Sequence, residues 1–339
     1  MDTYRKVTFT FFSLPAFIVL LAVASTSCDT LPVTPEMSST AAVPGADADA
    51  GPYPAMTVGG GAANRFQIDV VTVNQGARDL TETILAQADR WARIVHRTDL
   101  EDIEWEPGTI SCGSAQHDYQ DTVLDDVLVM VSVQDYFTGP TKGAGVWICG
   151  FRESSKLPTI GAIFLDIEGL PDSQRDGLIL HGLGHILGFG FSWEDLGLLR
   201  NSSWDNEGAD THFTGSRATA AFIAAGGANY PDGRVPVENY WSNGTVDYHW
   251  RKAVFGTELM SPRVARNSPH PISAITVQSL ADIGYTVDVW QADAYILPAA
   301  SAAAGATEDG PAIHINEEVV ISPAVFYDRQ GRVVRVVRD

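Results

Sequence analysis

Apolar and polar residues alternate along this chain with two periods, and the change from one period to the other marks its elements. FQIDVVTV, residues 66–73, is rich in β-branched residues and predicts a first strand. RDLTETILAQADRWARIVH follows, with Leu80, Ile84, Ala88, Trp91 and Val95 at helical spacing and charges between them. That spacing predicts an amphipathic helix whose apolar face covers a sheet. VLVMVSV, residues 127–133, is a continuous apolar run of the kind a strand buried on both faces requires. GVWIC and IGAIFLD (160–166) predict further strands, and residues 173–187 predict a helix carrying Leu178, Leu180, Leu183 and Leu187, with Gly188 where a helix stops.

Beyond that point the pattern loosens. Helices are expected in SRATAAFIAAGG and in TVQSLADIGY. Near the C-terminus two β-rich runs flank DRQG and predict a hairpin, and AASAAAGATEDG before it reads as a linker. The hairpin is therefore expected as an appendage. Strand, helix, strands, helix in this order predict an α/β or α+β domain with a mixed sheet, of which α+β with a twisted N-terminal sheet and a looser C-terminal subdomain is the form expected here. The boundaries expected are 1–28, 29–64, 65–290 and 291–339.

The first of these segments has a different pattern. Arg5 and Lys6 precede an apolar stretch from Val7 to Val23, broken by Pro15, and small residues lead to Cys28. This predicts an export signal, because the run is short for a membrane span. AVASTSC also resembles a bacterial lipoprotein signal, with Ser25 where an aliphatic residue is usual, so Cys28 is a candidate lipidation site. Residues 29–64 are rich in Thr, Pro, Ala, Ser, Gly and Asp and predict a flexible tether. With Cys28 lipidated or removed, Cys112 and Cys149 remain and are expected to pair in an oxidising compartment.

Composition narrows the partners. Of 339 residues, 22 are basic and 42 acidic, a formal net charge of −20. A surface that negative repels nucleic acid and anionic membranes, so neither is expected as a partner except through a lipid on Cys28. A monomer is expected.

The candidate chemistry lies in GLILHGLGHILGFG, residues 177–190. His181 and His185 are four residues apart, and on a helix such residues point the same way. With eight histidines in the chain, such a pair arises by chance in roughly one chain in five, so the spacing alone does not make a metal site. Gly184 and Gly188 bracket His185, and glycine inside a helix costs about 1 kcal/mol relative to alanine, which points to close packing or a sharp turn. A zinc site needs at least three protein ligands, and His212, His249, His270 and His314 are candidates for the third.

HGLGHILGFG, then His249 after a long insertion, then Met260 in the phrase ELMSP, resemble the leishmanolysin group of metzincin zinc peptidases. RFQIDVVTV, DRWARIV, IGAIFLDIEGL, SWEDLGLL, HFTGSRATAAF, VPVEN and ITVQSLADIGYTVD resemble segments of bacterial members in the same order, so the resemblance spans about residues 65–290. It implies one zinc ion held by His181, His185 and His249, a methionine at 260 packed below the metal without binding it, a turn at Gly188, and a protein or peptide as substrate. It also implies glutamate where this chain has Gly182. In the family that carboxylate moves the proton during hydrolysis, a contribution of typically 10²- to 10⁴-fold. Asp166, Glu168, Glu194 and Glu258 are the carboxylates whose place in the sequence makes them candidates to replace it. Three readings stay open: an exported zinc endopeptidase, a pseudo-peptidase that keeps zinc and cleft, and a surface interaction module.

Overall fold

A computed structural model describes residues 54–59, 66–97, 100–135, 142–203, 206, 208–230, 234–240, 245–262, 269–299 and 315–337. The expected export signal, Cys28 and most of the expected tether lie outside the described residues. Among the described residues no helix is long and apolar enough to cross a membrane.

The main strands and helices are, in chain order, β1 (Met56–Gly59), β2 (Gln67–Thr72), α1 (Thr81–Ile94), β3 (Val127–Val133), β4 (Lys142–Arg152), β5 (Pro158–Asp166), α2 (Asp172–Ile186), α3 (Ser216–Ala224), α4 (Ala274–Ile283), β6 (Ile315–Tyr327) and β7 (Val333–Val337). The fold is α+β around a seven-stranded mixed sheet in the order β1-β2-β3-β5-β4-β6-β7. Strands β2, β3 and β5 run parallel, and β4 lies antiparallel to β5.

The apolar run of β3 follows from having both faces covered. Val127, Val129 and Val131 join the core under α1 and α2, which also takes Val146 of β4, Ile163 of β5 and Leu183 of α2. Leu128 and Met130 point the other way, into a second core with Ile160, Phe164 and a small hairpin of Gly108–Cys112 and Ala115–Tyr119. Cys112 and Cys149 form a disulfide that ties this hairpin to β4. With a sequence separation of 37, a bridge of this length contributes about 4 kcal/mol in the chain-entropy account.

Three expectations are corrected. The stretch 29–64 is not tether throughout, since β1 falls inside it and pairs antiparallel with β2. The expected helix from Arg78 is interrupted: a single turn at Gln75–Arg78, capped by the Asn74 side chain, precedes α1, and the chain turns extended at Val95. The C-terminal hairpin is not an appendage. β6 pairs in parallel with β4, from Ile315 opposite Lys142 to Tyr327 opposite Arg152, and β7 closes the edge. The outer edge of β4 would otherwise present a row of backbone donors and acceptors, and a further strand satisfies them. Residues before this hairpin also belong to the folded body: the Tyr295 hydroxyl donates to the Phe255 carbonyl at 2.8 Å, and the Leu297 amide donates to the Ala225 carbonyl at 2.9 Å.

Beside β3, Arg152 is buried, and its guanidinium donates to the carbonyls of Glu101, Asp125 and Pro158. The Asp125 carboxyl sits among acids, and burial, Asp126 and Asp102 push its pKa up to about 7 from 3.8. The folded chain thus holds a proton there that the unfolded chain releases. Stability from this group is full below the unfolded value and is lost as the pH rises through about 7. The melting temperature of the wild type should fall between about pH 5 and about pH 8 more steeply than that of Asp125→Asn. Equal slopes would show that Asp125 titrates as an ordinary aspartate.

Candidate metal centre

Helix α2 supplies the first two side chains. His181 and His185 lie one turn apart on it, and both are buried. The helix ends where the glycine pattern indicates. Gly188 has φ +95°, its amide donates to the His185 carbonyl at 2.8 Å, and the Phe189 amide donates to the Gly184 carbonyl at 3.2 Å. This is the glycine-terminated helix end in which two carbonyls of the last turn are capped together. It brings the Phe189 carbonyl back to accept from His185 Nδ1 at 2.9 Å.

His249 arrives from the loop before Trp250 and is fully buried. An aromatic cluster holds that loop: Trp250 stacks on Trp193 at 4.9 Å and on Phe255 at 5.3 Å, and meets Phe189 edge-on at 5.0 Å. The three ligand-capable nitrogens lie within 4.8 Å of one another. His185 Nε2 is 3.0 Å from His181 Nε2 and 3.1 Å from His249 Nε2. These three buried histidines are close enough to hold one metal ion.

The other ring nitrogens fix the chemistry of this set. His181 Nδ1 faces the Leu259 carbonyl at 2.5 Å, His185 Nδ1 the Phe189 carbonyl, and His249 Nδ1 the Thr245 carbonyl at 2.9 Å. A carbonyl only accepts, so each Nδ1 carries the proton and each Nε2 of a neutral ring presents a lone pair. Lone pairs turned on one point at such distances repel, and a cation among them reverses the sign. A backbone carbonyl on the second ring nitrogen is also the usual way a metal-binding histidine is oriented.

Met260 lies in a turn below α2. Its Sδ is 2.8 Å from where a Cβ on Gly184 would stand, and Trp91 is 3.1 Å from the same point. A side chain on Gly184 would therefore collide with Met260, and the glycine lets the turn pack against the helix. The turn is held by Glu258, whose buried carboxylate accepts from the Met260 amide at 2.7 Å, the Ser273 amide at 3.1 Å, the Ser273 hydroxyl at 2.8 Å and the Thr276 hydroxyl. Thr276 Oγ1 in turn accepts from the Trp250 indole at 2.9 Å. One network thus positions both the Met260 turn and the residue after His249. The sequence reading missed this role of Glu258; Ser273 and Thr276 at the start of a helix were its available signal.

The remaining candidates lie elsewhere. Asp166 is buried against Lys142 at 2.5 Å, and Glu168 and Glu194 are exposed. Among the described residues none of the four candidate carboxylates joins the histidine cluster. His212 pairs its Nδ1 with the Asp210 carbonyl at 2.7 Å, His270 is not in the cluster, and His314 lies outside the described residues. Gly182 faces the sheet: a Cβ there would meet Ile163 at 3.3 Å and Val146 at 3.4 Å.

No protein-family model matches the chain, and no curated protein matches it.

Proposed function

We propose that this chain is an exported zinc-holding protein built on the plan of the leishmanolysin-like metzincin peptidases, with the metal centre kept and the proton-moving carboxylate absent. It engages protein or peptide segments as a monomer and turns them over slowly. Its contact with a membrane is confined to a lipid on Cys28, and nucleic acid is not among its partners. The observation that carries this reading is the set of three buried Nε2 atoms facing one another, each ring oriented by a carbonyl, beside a glycine at position 182.

The donor set suits zinc. Bonds of about 2.0–2.1 Å in tetrahedral array place two nitrogens about 3.3 Å apart, close to the 3.0 and 3.1 Å found here. A zinc ion held there supplies Lewis acidity and lowers the pKa of water to about 7. The chain's own groups do the rest. His181, His185 and His249 hold the charge in neutral, oriented form. Met260 fills the space below α2. No side chain at 182 can take or return a proton, and Glu258 is committed to the turn, with three donors on its Oε1 and the Met260 amide on its Oε2.

Metal analysis of the purified chain should find about one zinc per molecule, as a three-histidine site requires, and a quenched-peptide assay should find little turnover. Ready cleavage that a chelator stops would overturn the impaired-peptidase reading in favour of an active endopeptidase. A metal-free, well-folded protein would overturn both and leave the interaction module.

A further inference from the structure

The face of the sheet turned away from the histidines is hollowed beside its second core. A cavity of about 490 Å³ opens there, between the disulfide-tied hairpin and strands β4 to β6. Its floor is apolar and buried, made by Ile110, Cys149 and Ile160. Its walls are the half-buried rings of Trp105, Trp147 and Tyr327. Thr109 and Ser111 stand at the exposed mouth. We propose that this cavity binds an uncharged aromatic ring that carries an N–H group, such as an indole.

Four features select that class. The walls are π systems set at an angle, with Trp105 and Tyr327 edge-to-face at 5.2 Å, and a further ring can complete such an arrangement by stacking or by its edge. Among the described residues no charged side chain lines the cavity, so an ion seated on its apolar floor would lose hydration without a counter-charge, and the net charge of −20 disfavours anions further. Thr109 Oγ1 donates its proton to Asp118 at 2.6 Å, which leaves its oxygen as an acceptor at the mouth, suited to an N–H. The volume lies within the range of about 300–1,000 Å³ usual for small-molecule sites.

The cavity is also preformed. The Cys112–Cys149 bridge pins the hairpin over β4, and Trp147 precedes Cys149 by two residues, so both side chains share one face of the strand. At the hairpin turn, Trp147 and Phe164 come within 3.1 Å of where a Cβ on Gly113 would stand, so the turn has no slack above the ring. A site held open in this way loses little to ordering when it fills.

The test is a calorimetric titration of the full chain with N-acetyl-tryptophanamide, run beside its cyclohexylalanine analogue and methyl glucoside. Saturable binding at one site is expected, several-fold weaker for the cyclohexyl analogue and absent for the glucoside. Trp105→Ala should weaken it by about tenfold, with melting temperature and zinc content followed in parallel so that loss of the ring and loss of the metal are separate results. Should Trp105→Ala unfold, Ser111→Trp at the exposed mouth plugs the cavity without emptying it and should abolish binding. No saturation into the millimolar range, undiminished binding by both variants, or saturation by the glucoside would overturn the proposal.

Discussion

Replacing His185 with alanine should take the chain from one bound zinc to none that survives desalting. His185 is the middle member of the set: its Nε2 faces both His181 and His249, at 3.0 and 3.1 Å. Alanine leaves two nitrogens, one short of the smallest protein ligand set zinc uses. Losing only an orienting partner of a ligand typically weakens metal affinity 10–100-fold, so loss of the ligand itself should weaken it by about a thousandfold or more. The effect reaches stability. A metal held at a thousandfold above its dissociation constant stabilises the folded state by about 4 kcal/mol, and a variant with a thousandfold weaker site forfeits nearly all of that at the same zinc concentration. The melting temperature of the wild type should therefore rise with added zinc while that of His185→Ala should not. His212→Ala is the control, because His212 bonds to Asp210 and stands outside the cluster. A His185→Ala protein that keeps one zinc at wild-type affinity would remove the three histidines from the account.

Much of this centre was legible because helices and buried strands announce themselves by period. The run 127–133 could be read as a strand covered on both faces, and α2 is within one residue of its expected bounds at each end. The i, i+4 spacing required His181 and His185 to share a face, and the resemblance supplied His249. Gly184 and Gly188 could be marked as costly, but not told apart. The structure separates them: Gly184 admits Met260, and Gly188 takes a left-handed conformation that closes the helix. Period says nothing about partners distant in sequence. Glu258 reads locally as one more charge near a turn, and only the approach of Ser273 and Thr276 makes it the centre of a network. The same holds for the C-terminal run. Its β character was visible, but the unpaired edge of β4 that it completes lies more than 150 residues earlier in the chain. Trp193 and Trp250 stack on each other in the interior and belong to the core.

Installing the absent carboxylate should give the largest change in rate. Gly182→Glu combined with Val146→Ala is expected to raise peptide turnover per zinc-loaded chain by about 10²- to 10⁴-fold over wild type, the usual contribution of positioned proton transfer. The second substitution follows from the packing. A Cβ at 182 stands 3.4 Å from Val146 Cγ2 and 3.3 Å from Ile163 Cδ1, and both of those residues are fully buried. Glutamate alone overfills this contact, a change that costs roughly 1–3 kcal/mol, and it presses a carboxylate against apolar side chains that cannot solvate it. Removing Val146 Cγ2 opens the side of the helix toward β4 and gives the longer chain a way past. The single variant should accordingly melt lower than wild type, and the change in activity has to be read per bound zinc. Gly182→Gln with Val146→Ala separates chemistry from shape, since glutamine fills nearly the same volume but can neither take nor return a proton near neutral pH. A gain for glutamate and none for glutamine assigns the missing activity to the proton. A folded, zinc-loaded glutamate variant no faster than its glutamine twin would mean that this centre lacks more than a base, and the peptidase plan would then no longer account for three histidines set around one point.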